Sequence, residues 1–127
     1  MASRIELLPG DAGASYSVIA VTGELDLSAA SVFSEMLRRA AEEHPGGLLI
    51  DLSNCGFIDS TGISLLLNAS RRQTRAREGM SVLCPNPTPR RVFEITGTLD
   101  TLNVVEENAA AEAAIARSRD ALAQAGN

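Results

Sequence analysis

The chain contains no lysine. All eleven of its basic residues are arginine, and that removes several chemistries at once. A P-loop needs its phosphate lysine, a protein kinase its strand lysine and a pyridoxal enzyme its Schiff-base lysine. Histidine is nearly as scarce. His44 is the only one, in Glu42-Glu43-His44-Pro45-Gly46-Gly47, which reads as a helix end running into a turn. A Ser-His-Asp triad or a zinc site would have to be built around it, and a two-histidine zinc motif is excluded. Two cysteines, Cys55 and Cys84, make no disulfide framework and form no C-x-x-C pair; both sit among apolar strand-like residues and read as buried, reduced thiols. No apolar run approaches the ~18 residues of a membrane helix; the densest stretches are Val18–Val21, Leu48–Ile50 and Leu65–Leu67. The start, Met-Ala-Ser-Arg-Ile-Glu, carries no export signal, so the expected compartment is the cytoplasm.

What is present is ordinary for a folded protein: 127 residues, 45% apolar and 21% charged. That length closes one real core. The expectation is a single domain over residues 1–127, with its core at about 5–105 and a C-terminal helix at about 107–125. The net charge of −5 argues against nucleic acid or an anionic membrane as the main partner. Nothing calls for a metal or other cofactor.

Ile5–Leu8 reads as a strand, Pro9–Gly13 as a turn and Tyr16–Thr22 as a second strand, pairing with the first as a hairpin. Gly23–Asp26 leaves that strand, and Ser28 is placed to cap a helix whose apolar face is Phe33, Met36, Leu37, Ala40 and Ala41. Leu48–Leu52, apolar on both sides, reads as a buried central strand. Asp59-Ser60-Thr61-Gly62 then opens a helix with Ile63, Leu66, Leu67 and Ser70 on one face and Arg71, Arg72, Arg75 and Arg77 at its end. Arginines there favour the negative end of the helix dipole; an anion-binding role is the alternative. Met80–Leu83 is a fourth strand. Pro85–Pro89 reads as a rigid turn before a short helix stopped by Gly97, and Leu102–Val105 as a last strand. The alanine-rich tail presents Ala111, Ile115, Arg119 and Leu122 on one helical face, and is expected to dock weakly and fray toward Gly126 and Asn127. Strands alternating with helices require crossover connections. The fold class is therefore α/β, a mixed, mostly parallel sheet of about five strands covered by about four helices.

Chemistry concentrates in two loops that leave the carboxyl ends of strands, where such sheets meet ligands and partners. One is Gly23-Glu24-Leu25-Asp26-Leu27-Ser28 and the other Asp59-Ser60-Thr61-Gly62. Ser60 reads as the N-cap of its helix. Gly62, in the first turn, costs roughly 1 kcal/mol against alanine, so either close approach of another molecule or tight helix–strand packing must want bare backbone there.

Thr22-Gly23-Glu24-Leu25-Asp26, Leu49-Ile50-Asp51-Leu52, Phe57-Ile58-Asp59-Ser60-Thr61-Gly62-Ile63 and Arg91-Val92-Phe93-Glu94-Ile95-Thr96-Gly97 together resemble the bacterial anti-sigma factor antagonists, which are stand-alone STAS domains. The resemblance runs from about Ile5 to Val105. It implies a phospho-switch. The unmodified protein binds an anti-sigma factor that is a serine kinase and releases its sigma factor; phosphorylation of Ser60 by that kinase ends binding, and a serine phosphatase resets the cycle. Partner contacts are then expected from Glu24, Leu25, Asp26, Leu27, Asp59, Ser60, Thr61, Gly62, Ile63 and Leu65, on a monomer.

Three rivals stand beside this reading. A receiver-like domain phosphorylated on Asp51 or Asp59 lacks the lysine such domains use. A STAS subunit that is not kinase-regulated could serve as a lipid-transport accessory, scaffold or small-ligand sensor. An enzyme could pair Glu24 with Asp59 for acid–base work, but no metal-ligand or nucleophile constellation supports it, and the expectation is a protein that is not an enzyme.

Overall fold

The computed structural model describes residues 3–10, 15–44 and 46–125. Its centre is a long strand, Gly47–Ile58, whose first residues are buried without interruption. Leu48, Ile50 and Leu52 face one way into the main core, while Leu49 faces the other into a smaller cluster. A strand packed on both faces is what an unbroken apolar run encodes. Numbered in chain order, the strands are β1 (Arg4–Pro9), β2 (Tyr16–Leu25), β3 (Gly47–Ile58), β4 (Met80–Leu83) and β5 (Val104–Val105). They lie side by side in that same order. β1 and β2 pair antiparallel, and every later pairing is parallel.

The helices are α1 (Ala30–Glu43), α2 (Ser60–Arg75), α3 (Pro87–Thr96) and α4 (Asn108–Ala125). α1 buries Phe33, Leu37 and Ala40, α2 buries Ile63, Leu66 and Ala69, and α3 buries Phe93. All of these join one core against Ile19, Val21, Ile50, Leu52 and Val82, so the three crossover helices share one face of the sheet. α4 takes the other face, where Ala111 and Ile115 meet Leu49 and Leu83. Three small residues let it come close: Ala111 and Ala114 are buried on the helix, and a Cβ on Gly79 would lie 2.2 Å from the Ile115 carbonyl oxygen. The tail therefore lies close against the sheet, because small residues on both sides replace bulk with proximity. Gly126 and Asn127 lie outside the described residues, as do most of the β1–β2 turn residues.

Several boundaries differ from the sequence expectation. β2 continues past Thr22 to Leu25, and β3 past Leu52 to Ile58, because the two pair with each other to those ends through two register shifts. Pro85–Pro89 is not all turn: Pro87 is the first residue of α3, a position that needs no N–H donor. The last strand is only Val104–Val105. Gly97 does end α3, in the left-handed region at φ +69°.

Candidate partner-binding and modification site

β2 and β3 end together, with Glu24 opposite Phe57 and Leu25 opposite Ile58. The residue after each strand is an aspartate, and each does the same local job. Asp26 Oδ1 accepts from the Ser28 N–H at 3.0 Å and from the Ser28 hydroxyl at 2.6 Å, capping the 3-10 turn Leu27–Ala29. Asp59 Oδ1 accepts from the Gly62 N–H at 3.0 Å, capping α2. Two extended strands thus stop on neighbouring caps at one end of the sheet. The Ser28 hydroxyl bond is the main reason the Asp26 carboxyl is held below its ordinary value.

Two expectations change here. Ser28 does not cap a helix; it is the donor that Asp26 receives. Ser60 is not the N-cap of α2 but its first residue, since Asp59 holds the extended backbone that a cap requires and its carboxylate reaches the third N–H. The Ser60 side chain is exposed and makes no hydrogen bond to any other described residue. Its hydroxyl has no structural employment.

Gly62 answers the question its position raised. A Cβ there would sit 2.2 Å from the Leu25 carbonyl oxygen and 2.6 Å from Ile58 Cγ1. Bare backbone is needed for helix–strand packing, and Gly62 is buried. Leu25 and Ile63 are buried in the core as well, so none of these three is available at the surface, contrary to the expectation that they contact a partner. Leu65 is half-buried and packs against the main core. Glu24, Asp26, Asp59 and Thr61 are partly exposed.

The apolar surface near Ser60 comes from Leu27, 75% exposed, and Phe57, 47% exposed. Phe57 was not anticipated from the sequence. Both register shifts lie before it along β3, and its neighbours Cys55 and Ile58 face inward. Asn86 was also missed. Beyond Leu83, where β4 stops, its amide donates to the carbonyls of Ser53 at 3.0 Å and Cys55 at 3.3 Å, and so holds the end of β3 that carries Asp59. Asn between two prolines gives only a turn signal in sequence. Ser3 does similar work on β2, donating its hydroxyl to the Glu24 carbonyl at 2.7 Å.

Asp51, the receiver-like acceptor, is tied to the N–H and hydroxyl of Ser53 at 2.9 and 2.6 Å, within β3 rather than at its end. Among the described residues no group of histidine, cysteine, aspartate and glutamate is arranged to hold a metal ion, and no helix is long and apolar enough to cross a membrane. Cys55 and Cys84 are free and buried; burial raises both thiols, Cys84 to about 11.

The STAS domain family model matches residues 8–111. The chain belongs to the STAS domain family. Within it, the anti-sigma-B factor antagonist of Staphylococcus aureus is 27% identical over 88 residues, 69% of this STAS domain and 82% of that protein. Among solved structures, an anti-sigma factor antagonist from Mycobacterium paratuberculosis aligns with a TM-score of 0.79 at 24% identity, covering 91% of this chain and 95% of that one. The Bacillus cell fate determinant SpoIIAA in its phosphorylated form aligns with a TM-score of 0.63 at 24% identity, over 83% and 92% of the two chains. The antagonists are regulators, and this STAS domain shares their fold.

Proposed function

We propose that the protein is an anti-sigma factor antagonist. Its unmodified form binds an anti-sigma serine kinase through the surface around Asp26, Leu27, Phe57 and Ser60, and phosphorylation of Ser60 ends binding until a serine phosphatase removes the group. The observation that carries this reading is the idle, exposed Ser60 hydroxyl at the first position of α2. A kinase reaching that oxygen breaks no bond of the fold.

The position also tolerates what the kinase adds. Phosphate brings about −1.5 to −2 charge and three acceptor oxygens. At the start of α2 the Gly62 N–H is taken by Asp59 Oδ1 and the Ile63 N–H by the Asp59 carbonyl, which leaves the Ser60 and Thr61 N–H groups and the helix dipole to favour an anion. The cost falls on the partner. Glu24, Asp26 and Asp59 already make this end acidic, and a dianion among them repels an acidic contact surface and must be resolvated. A coupling of ~1–3 kcal/mol changes affinity roughly 5–150-fold, sufficient for partner switching.

The test is incubation with the candidate anti-sigma kinases and ATP, followed by intact mass of wild type and Ser60→Ala. Gain of one phosphate in wild type alone is the expected result, with kinase binding weakened in the product. Tight kinase binding that phosphorylation does not alter would leave a STAS scaffold subunit as the better description. Modification of both proteins, or of neither, overturns the assignment of Ser60.

A further inference from the structure

At the far end of α2 from Ser60 lies a cleft between that helix, the loop before β5 and the second half of α4. Its inner part has a volume of about 240 Å³ and is lined by Gln73, Glu78, Met80, Asn103, Ser118 and Leu122 among others. Its outer part, open to solvent, has about 510 Å³ and is lined by Ser70, Arg71, Thr74, Arg75 and Thr101. Ser70, Thr74 and Thr101 border both, so the two adjoin, and the outer part falls in the size range of small-molecule sites.

The polar groups in this cleft are sorted by kind. At the mouth are donors. Arg71 and Arg75 are one turn apart on α2 and therefore neighbours, and among the described residues neither pairs with a carboxylate, whereas Arg4, Arg38, Arg39 and Arg90 do. Arg71 donates only to Asn68 Oδ1; the hydroxyls of Ser70, Thr74 and Thr101 make no hydrogen bond to described residues. Deeper in are acceptors. Gln73 is 7% exposed and spends its amide hydrogens on the carbonyls of Gly46 and Gly79. Asn103 spends its own on Met80, from a left-handed backbone at φ +52°. In both, the side-chain oxygen accepts nothing from the described residues, and the Glu78 carboxylate pairs with none of them either. Gln73 is thus a buried residue anchored by two bonds, with its oxygen open to the cleft and not sealed in the core.

We infer that this cleft binds a small organic phosphomonoester whose body carries hydroxyl or amino donors. Two guanidiniums and three hydroxyls suit the several acceptor oxygens of a phosphate. The inner oxygens of Gln73, Asn103 and Glu78 take donors from a sugar-sized body lying over Met80 and Leu122. α2 rises 1.5 Å per residue, which puts Ser70–Arg75 roughly 15–22 Å along the helix from Ser60; the cleft is separate from the proposed phosphorylation surface.

The test is calorimetric titration of the full chain with glucose 6-phosphate, glucosamine 6-phosphate and glycerol 3-phosphate, against inorganic phosphate and glucose. Saturable one-to-one binding of at least one organic phosphate is expected, tighter than inorganic phosphate and weakened by salt. Arg71→Gln/Arg75→Gln should weaken it tenfold or more. Ala121→Phe, which narrows the inner cleft from an exposed position, should abolish organic phosphate binding and leave any weak inorganic phosphate binding unchanged. Thermal melts report that each variant is folded, and Ser60 phosphorylation should proceed in both, so the two readings fail independently. Absence of saturable binding across the panel overturns the inference. So does binding indifferent to Ala121→Phe, or binding seen only with heparin or with phosphatidylglycerol vesicles, because the arginines would then be a surface patch for polyanions.

Discussion

Asp59 and Ser60 are adjacent, but only the Asp59 side chain bonds within the described fold. Asp59 caps α2, so Asp59→Ala should cost about 1 kcal/mol, read as a lower midpoint in urea. The Ser60 hydroxyl bonds to no other described residue, so Ser60→Ala should change stability by no more than ~0.5 kcal/mol while removing the proposed phosphorylation. Equal losses from the two would return the capping role to Ser60. Gly62 supplies a sharper case because two effects oppose each other there. Alanine for glycine inside a helix gains about 1 kcal/mol from propensity. At Gly62 the added Cβ would lie 2.2 Å from the Leu25 carbonyl oxygen, and forcing backbone apart in a packed core costs about 1–3 kcal/mol. Gly62→Ala is therefore expected to destabilise, and a stabilised variant would mean that α2 and β2 are not in contact. Sequence could pose the Gly62 problem but not solve it, since the solving atoms belong to Leu25 and Ile58, distant along the chain.

At the scale of elements, sequence was informative wherever one helix or strand meets the core as a unit. The face of Phe33, Leu37 and Ala40 and the doubly buried run Leu48–Leu52 are periodicities that any packing partner would require. It was least informative where two elements negotiate an end. β2 and β3 run on past Thr22 and Leu52 because each completes the other's hydrogen bonds, through bulges that shift which residues face inward. That is why Phe57 emerges at the surface and Leu25 does not. The alanine-rich helix, expected to dock weakly, lies close against the sheet because the residues at the contact are small. Its partner glycine lies in the turn before β4: a Cβ on Gly79 would meet the Ile115 carbonyl oxygen at 2.2 Å and the Ser118 hydroxyl at 2.8 Å. Gly79→Ala should push α4 off the sheet while leaving the opposite face intact. Hydrogen exchange would then rise in residues 108–125 and remain slow in α1 and α2. A uniform rise across the chain would show that α4 unfolds only with everything else.

Across the whole molecule, strands in sequence order put both acidic loops at one end of the sheet, with an unbroken core behind them. If the protein switches partners as proposed, release works by surface charge, and the two thiols can test that. Cys55 and Cys84 are buried, and burial raises both, Cys84 from 9.0 to about 11. In the unfolded chain a thiol loses its proton near 9, whereas the native Cys84 keeps it. Between those values the unfolded state binds fewer protons, so stability is flat below about 9 and falls as pH rises toward about 11. At pH 8 native alkylation by iodoacetamide should be slow for both thiols, at a rate set by opening of the core. Ser60→Asp, and the protein phosphorylated on Ser60, should be alkylated as slowly as wild type even as they lose affinity for the kinase; Gly62→Ala, which strains the core itself, should react faster. Fast alkylation of the Ser60→Asp variant would mean that the added charge acts by loosening the sheet beneath α2, and repulsion at the surface would no longer account for release.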